Sequence, residues 1–129
     1  MNYDQFIKTV KESAQFESRE DAIKATKAVL ETMRERLLGD EASNLAAQLP
    51  KELGDCLRGR EGQMGDNFKI EEFYTRISQR EGVDIEAAAT HAGVVFSVLS
   101  QAVSAGEWAD VRIGFAKDYD ELFAAIAER

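Results

Sequence analysis

The sequence predicts an all-α protein: a compact bundle of about eight helices formed by two diverged four-helix repeats. Three observations carry this. Apolar residues recur at helical spacing in segment after segment. No segment alternates with period two for long enough to make a strand. The order long, long, short, short occurs twice, on either side of a glycine-rich break.

In the first repeat, Tyr3, Phe6, Ile7 and Val10 make one face of a helix that Asn2 caps and that ends near Ala14. Ser18 opens the second helix, with Glu20 and Asp21 in its first turn, where the helix dipole favours acids. Ala22, Thr26, Val29, Met33 and Leu37 form its apolar stripe; Lys24, Lys27, Glu31, Arg34 and Glu35 form the opposite face. Gly39 reads as its C-cap. Asp40 caps a short third helix with Ala42, Leu45, Ala46 and Leu49 on one face. Pro50, the one proline, suits the first turn of a fourth helix that holds Leu53, Cys56 and Leu57. Arg58 to Asn67, with Gly59, Gly62 and Gly65, reads as a mobile linker.

The second repeat starts with Ile70, Phe73, Tyr74 and Ile77. Asp84 then caps a long helix whose stripe is Ile85, Ala88, Ala92, Val95, Phe96, Leu99 and Val103. A short helix spans Glu107 to Phe115. A last one spans Lys117 to Glu128, with Tyr119, Leu122, Phe123 and Ile126 at helical spacing. Aligned at a shift of 66, the two copies share Glu20/Glu86, Ala22/Ala88, Val29/Val95, Glu41/Glu107 and Lys51/Lys117. The matched order of helices and breaks says more than these few identities. The expected organisation is a single domain over 1–129, with repeats 1–57 and 68–129 joined by linker 58–67.

Composition narrows the function. The net charge is −8; residues 1–66 hold 10 basic and 13 acidic groups, and residues 67–129 hold 6 and 11. Both repeats would repel phosphates, which argues against nucleic acid and against anionic membrane surfaces as partners. Met1 to Val10 lacks the pattern of a secretory leader. A single cysteine, Cys56, forbids an intrachain disulfide, and a reducing, cytoplasmic setting is expected.

The stretches Tyr-Asp-Gln-Phe-Ile (3–7), Ala-Thr-Lys-Ala-Val-Leu-Glu-Thr (25–32), Leu-Ala-Ala-Gln-Leu-Pro-Lys-Glu-Leu (45–53) and Asp-Tyr-Asp-Glu-Leu-Phe (118–123) resemble the bacterial family DUF2267, whose function is unknown. The resemblance covers essentially the whole chain and includes the internal doubling. It implies a helical fold and a bacterial cytosolic setting, and brings no catalytic residues. Where a second Leu-Pro element would stand, this chain has Ile113-Gly114-Phe115-Ala116.

No residue set spells out chemistry, so no catalytic, cofactor or metal residues are expected. His91 is the only histidine, which rules out a histidine cluster or a Ser-His triad built by this chain. It reads as a boundary side chain. Cys56 reads as a small core residue, since a nucleophile needs an electropositive setting and Asp55 stands beside it. Glu17/Glu20/Asp21, Glu71/Glu72 and Asp118/Asp120/Glu121 read as solvated, dipole-favoured acids. The glycines at 59, 62 and 65 are no phosphate loop, because no strand precedes them and no Gly-Lys-Ser/Thr closes them.

The long helix after Asp84 is the most informative element. Val94 and Val98 lie off its stripe yet are apolar, so it is either the central helix or presents an extra face to a partner. Trp108 and Arg112 are interface-prone residue types, or a tryptophan stacked on its own arginine. Val94, Val98, Trp108 and Arg112 are therefore the candidate partner contacts. The expected function is a non-catalytic protein–protein interaction or regulatory module, with an unknown protein or a second copy as partner. The alternative is a binder or carrier of a small apolar ligand between the repeats.

Overall fold

The computed structural model describes residues 1–127, with side chains to Ala124. Eight α-helices follow in order: α1 (Tyr3–Ala14), α2 (Arg19–Arg36), α3 (Gly39–Ala46), α4 (Lys51–Gly54), α5 (Ile70–Glu81), α6 (Ile85–Ala102), α7 (Ala105–Ile113) and α8 (Asp120–Ala127). A 3₁₀ turn, Lys117–Tyr119, precedes α8. No strand occurs among the described residues. Among the described residues no single helix is long and apolar enough to cross a membrane.

The helix starts follow from their caps. Asn2 and Gln5 form a capping box: the Asn2 side chain accepts from the Gln5 N–H, and the Gln5 side chain accepts from the Asn2 N–H. The Ser18, Asp84 and Ser104 side chains each accept from the N–H three residues on. Helix α5 has no local cap; the Ile70 N–H donates to Asp118 Oδ2 at 2.8 Å, from the far end of the chain. Asp118 and Glu121, which also accepts from the Tyr74 hydroxyl, thus do more than meet solvent.

The packing interlocks the two ends of the chain. Helix α1 lies against both α2 and α6, and α5 lies against both α6 and α2. Helices α5 and α6 meet at a 97° bend. Helix α3 packs on α7, and α8 on α6. One apolar cluster runs through the whole, from Phe6 and Ile7 to Leu122 and Phe123. Its densest part is aromatic: Phe73 has the rings of Phe68, Tyr74, Phe96, Phe115 and Tyr119 within 6.5 Å, mostly edge-on.

Several boundaries differ from the sequence reading. Helix α2 ends at Arg36, and Gly39 is the first residue of α3 rather than a C-cap. Asp40 accepts the Gly62 N–H instead of capping α3. The last element divides into the 3₁₀ turn and α8; the Ile126 side chain and Glu128 lie outside the described part. Ile85, the first residue of α6, is half exposed, so the apolar stripe of that helix is covered only from Ala88 on.

The larger correction concerns 58–67. The stretch is irregular but fastened as a strap. The Asp66 N–H donates to Glu35 O, and the Gly39 N–H to Gln63 O. Arg60 Nη1 donates to Glu35 O, and its Nη2 to Met64 O. A Cβ on Gly39 would stand 1.5 Å from Arg60 O, and one on Gly65 2.2 Å from Arg36 O. These glycines serve the close approach of two backbones, not mobility.

Phe73→Ala removes the ring on which five others converge, and the site cannot collapse without moving α5. It is expected to destabilise the protein by about 3–5 kcal/mol, read from denaturant unfolding.

Candidate functional site

The sequence-derived contact residues do not form one surface. Val98 is 1 % exposed and packed into the core, which removes it as a partner contact. The reason is position: α6 has α1, α2, α5, α7 and α8 around it, so its second apolar flank is covered by the chain itself. Val94 is half-buried and packed against the same core. Trp108 is half-buried against Phe96 and Phe123. Arg112 lies over the Phe123 ring at 5.5 Å rather than on Trp108, and reaches Asp120 at 3.7 Å. Of the four, Arg112 is the exposed one, with half its side chain in solvent.

Glu35, at one edge of the charged face of α2, is drawn into an internal seam with α5, whereas Lys24 and Lys27 on the same face are exposed. Arg80 of α5 grips Glu35 with two nitrogens, at 2.8 and 2.7 Å, and also donates to Thr32 Oγ1. Arg76 donates to Glu35 at 3.1 Å and to Glu72 at 2.9 Å, and lies 4.0 Å over the Phe68 ring. The Arg80 hydrogen bond, with help from Arg76 and against the cost of burial, lowers the Glu35 carboxyl from 4.5 to about 2. Sequence spacing could not show this, since the partners lie more than 40 residues apart.

Arg36 is buried at 7 % exposure and has no carboxylate partner among the described residues. Its Nε donates to Phe68 O at 2.8 Å and its Nη1 reaches Gly114 O at 3.5 Å. It lies over Tyr119 at 5.1 Å and Phe115 at 5.7 Å. The Tyr119 hydroxyl donates to the same Phe68 carbonyl, and burial pushes its pKa up to about 12.

Beside Arg36 is an open recess of about 270 Å³, lined also by Leu38, Met64, Gly65, Asn67 and Gly114. Leu38 (52 %) and Met64 (77 %) are among the most exposed large apolar residues, as is Ile113 (82 %), which precedes Gly114. Three elements meet here: the α2–α3 corner, the strap and the end of α7. No sequence signal marks them, because Leu38, Met64 and Ile113 belong to three separate segments, in or at the edge of breaks between helices, and share no helical spacing.

Elsewhere the chemistry is sparse. His91 Nδ1 lies 2.5 Å from a Glu81 carboxylate oxygen, and Phe16 stacks on the imidazole at 4.6 Å. Glu81 is 4 % exposed and its Oε1 has no partner. An open recess of about 260 Å³ lies beside Glu81, lined also by Phe16, Asp21 and Lys24. Cys56 is half-buried, and burial pushes its thiol up, away from thiolate chemistry. Among the described residues no group of three His, Cys, Asp or Glu side chains could hold a metal ion.

With this helical architecture described, the chain can be placed among known proteins. It belongs to the family of uncharacterized conserved proteins DUF2267, which matches residues 3–122, nearly its whole length. No curated protein matches it.

The Glu35 clamp carries a pH signature. Its lowered carboxyl contributes stability that is fully present above about 4.5 and is lost as the pH falls toward 2. Glu35→Gln is expected to cost about 1–2 kcal/mol at neutral pH, by weakening charge-assisted bonds and leaving Arg76 and Arg80 side by side. Its stability should also fall less steeply than the native chain's between pH 4.5 and 2, as read from urea unfolding at each pH.

Proposed function

We propose that this protein is a non-catalytic interaction module, and that its contact surface is the recess beside Arg36 with its rim of Leu38 and Met64, together with the neighbouring exposed Ile113. The observation that carries the reading is the rim. Leu38 and Met64, two of the most exposed large apolar side chains, line one depression, and the most exposed, Ile113, directly precedes its Gly114; a monomer gains nothing from such a set, whereas an interface core needs one. Arg112, next to Ile113, would extend the surface with a side chain that interfaces favour. The partner is a second protein or a second copy of this chain, in a reducing bacterial cytoplasm.

We also read the molecule as two diverged four-helix copies. Helices α1 and α5 have 12 residues each, and α2 and α6 have 18 each. Helices α1 and α5 both end on a left-handed residue, Gln15 and Gly82. Helices α2 and α6 both end on an extended residue whose N–H reaches back four residues, Leu37 to Met33 and Val103 to Leu99. The crossed packing of α1 on α6 and α5 on α2 is what an approximate two-fold relation would produce.

The test uses the double variant Met64→Glu/Ile113→Glu. Both side chains are exposed, so the melting temperature should hold within a few degrees. Sedimentation at micromolar concentration, and affinity capture from lysate with the native chain as bait, should show a dimer or a retained protein that the variant loses. A monomer that recovers the same proteins as the variant would overturn the reading. A co-purifying small apolar molecule without a protein would favour a ligand carrier instead.

A further inference from the structure

Glu41 and Glu107 are the third residues of α3 and α7, one of the few identities between the two halves of the chain. The two helices pack together, and at their seam the two carboxyl groups come within hydrogen-bonding reach of each other. Oε1 of Glu41 and Oε2 of Glu107 are shut off from solvent. Two carboxylates cannot bond to each other, because both only accept; as ions these buried oxygens have no partner. A pair that keeps one proton resolves this, since the carboxylic acid donates to the carboxylate.

Among the described residues no cation pairs with either carboxyl group. Asp110, on the next turn of α7, adds a further negative charge. On α4, Lys51 pairs with Asp55; just past that helix, Arg58 bonds Asp55 and Ala46 O. On α2, Arg34 reaches the Arg58 carbonyl and Arg36 reaches Phe68 and Gly114. Arg112 of α7 is turned to Asp120. Helix α6 has no charged residue after His91. In the strap, Glu61 is bonded to Gly59 N–H and faces Ser43. The same seam is also stitched by Gln48, whose Oε1 accepts the Ser104 N–H at 2.8 Å and whose Nε2 reaches Ser104 Oγ at 3.3 Å.

We propose that Glu41 and Glu107 are a proton-sharing latch, which holds α3 to α7 while the pair keeps one proton and loosens the seam when both carboxyls are ionised. Burial, the bond to Glu41 and the charges of Glu41 and Asp110 raise Glu107 from 4.5 to about 7. A raised folded value means that the latch contributes fully below about 4.5 and is lost as the pH rises through about 7. That loss falls near neutral pH, well away from the acid range in which the Glu35 clamp fails. The latch stands on the seam alone and does not depend on what the Arg36 recess binds.

Hydrogen exchange of α3 and α7 amides in the native chain, from pH 5 to 8 and corrected for base-catalysed chemistry, reads the seam directly. The opening constant should rise by up to about tenfold per pH unit as the pH approaches 7, and level off above it. In Glu107→Gln and in Glu41→Gln the amide donates at every pH, so this rise should vanish. Equal pH dependence in the native chain and both variants would overturn the latch. If the variants do not fold, ¹³C titration of the native Glu41 and Glu107 carboxyls decides. A midpoint near 7 for the pair supports the latch, and two ordinary carboxylate midpoints refute it.

Discussion

Arg36 brings a full positive charge into a site where almost none of it meets water. A buried ion is costly unless its donors are used and its charge is spread over polar or π-rich neighbours. Here the last turn of α2 delivers the guanidinium between the carbonyls of Phe68 and Gly114 and the faces of Tyr119 and Phe115. Those four residues come from the strap end, the α7 end and the segment that leads into α8. Much of the second half of the chain is therefore positioned around one side chain of the first. The strap must pass close to Arg36, which is why Gly65 lies against the Arg36 carbonyl with no room for a Cβ.

Two further contacts brace the same junction. The Arg80–Glu35 clamp sets the distance between α2 and α5, and Arg76 extends it to Glu72 and over Phe68. Behind it, Phe73 and its ring neighbours fill the space with edge-on contacts that tolerate little displacement. Helices α1 and α5, each spread over both long helices, leave neither half an apolar face of its own to close. The core is shared, which fits the marginal core expected of a unit of this size alone.

The polar details divide into those that hold the fold and those free for another role. Glu35, Arg36, Arg76 and Arg80 are engaged inside the molecule. Leu38, Met64 and Ile113 have no such engagement; Leu38 and Met64 line a depression that Arg36 also lines, and Ile113 precedes its Gly114. The surface proposed for binding lies at the corner that Arg36 organises, where the α2–α3 corner, the strap and the end of α7 converge.

How much could be read beforehand depended on distance along the chain. Asn2, Ser18 and Asp84 were legible as caps because a cap acts within one turn. The apolar stripes of α1, α2 and α5 were legible because burial imposes a 3.6-residue period. Val98 was misjudged because periodicity reports that a helix has two apolar flanks, not whether its own chain or a partner covers the second. Gly59–Gly65 looked mobile because composition cannot show a backbone lying against another backbone. Glu35 reads only as part of a charged face and Asp118 only as a solvated acid, because their partners, Arg80 and Ile70, lie 45 and 48 residues away. By itself, then, the sequence determined the helical class, the starts of α1, α2 and α6 and most of the core, which rest on local periodicity and short-range hydrogen bonds, and the family resemblance, which rests on short stretches of residues. Only the tertiary structure decided which charges are engaged, which apolar side chains remain uncovered and that Glu41 meets Glu107, because these depend on contacts between residues that the chain itself keeps far apart.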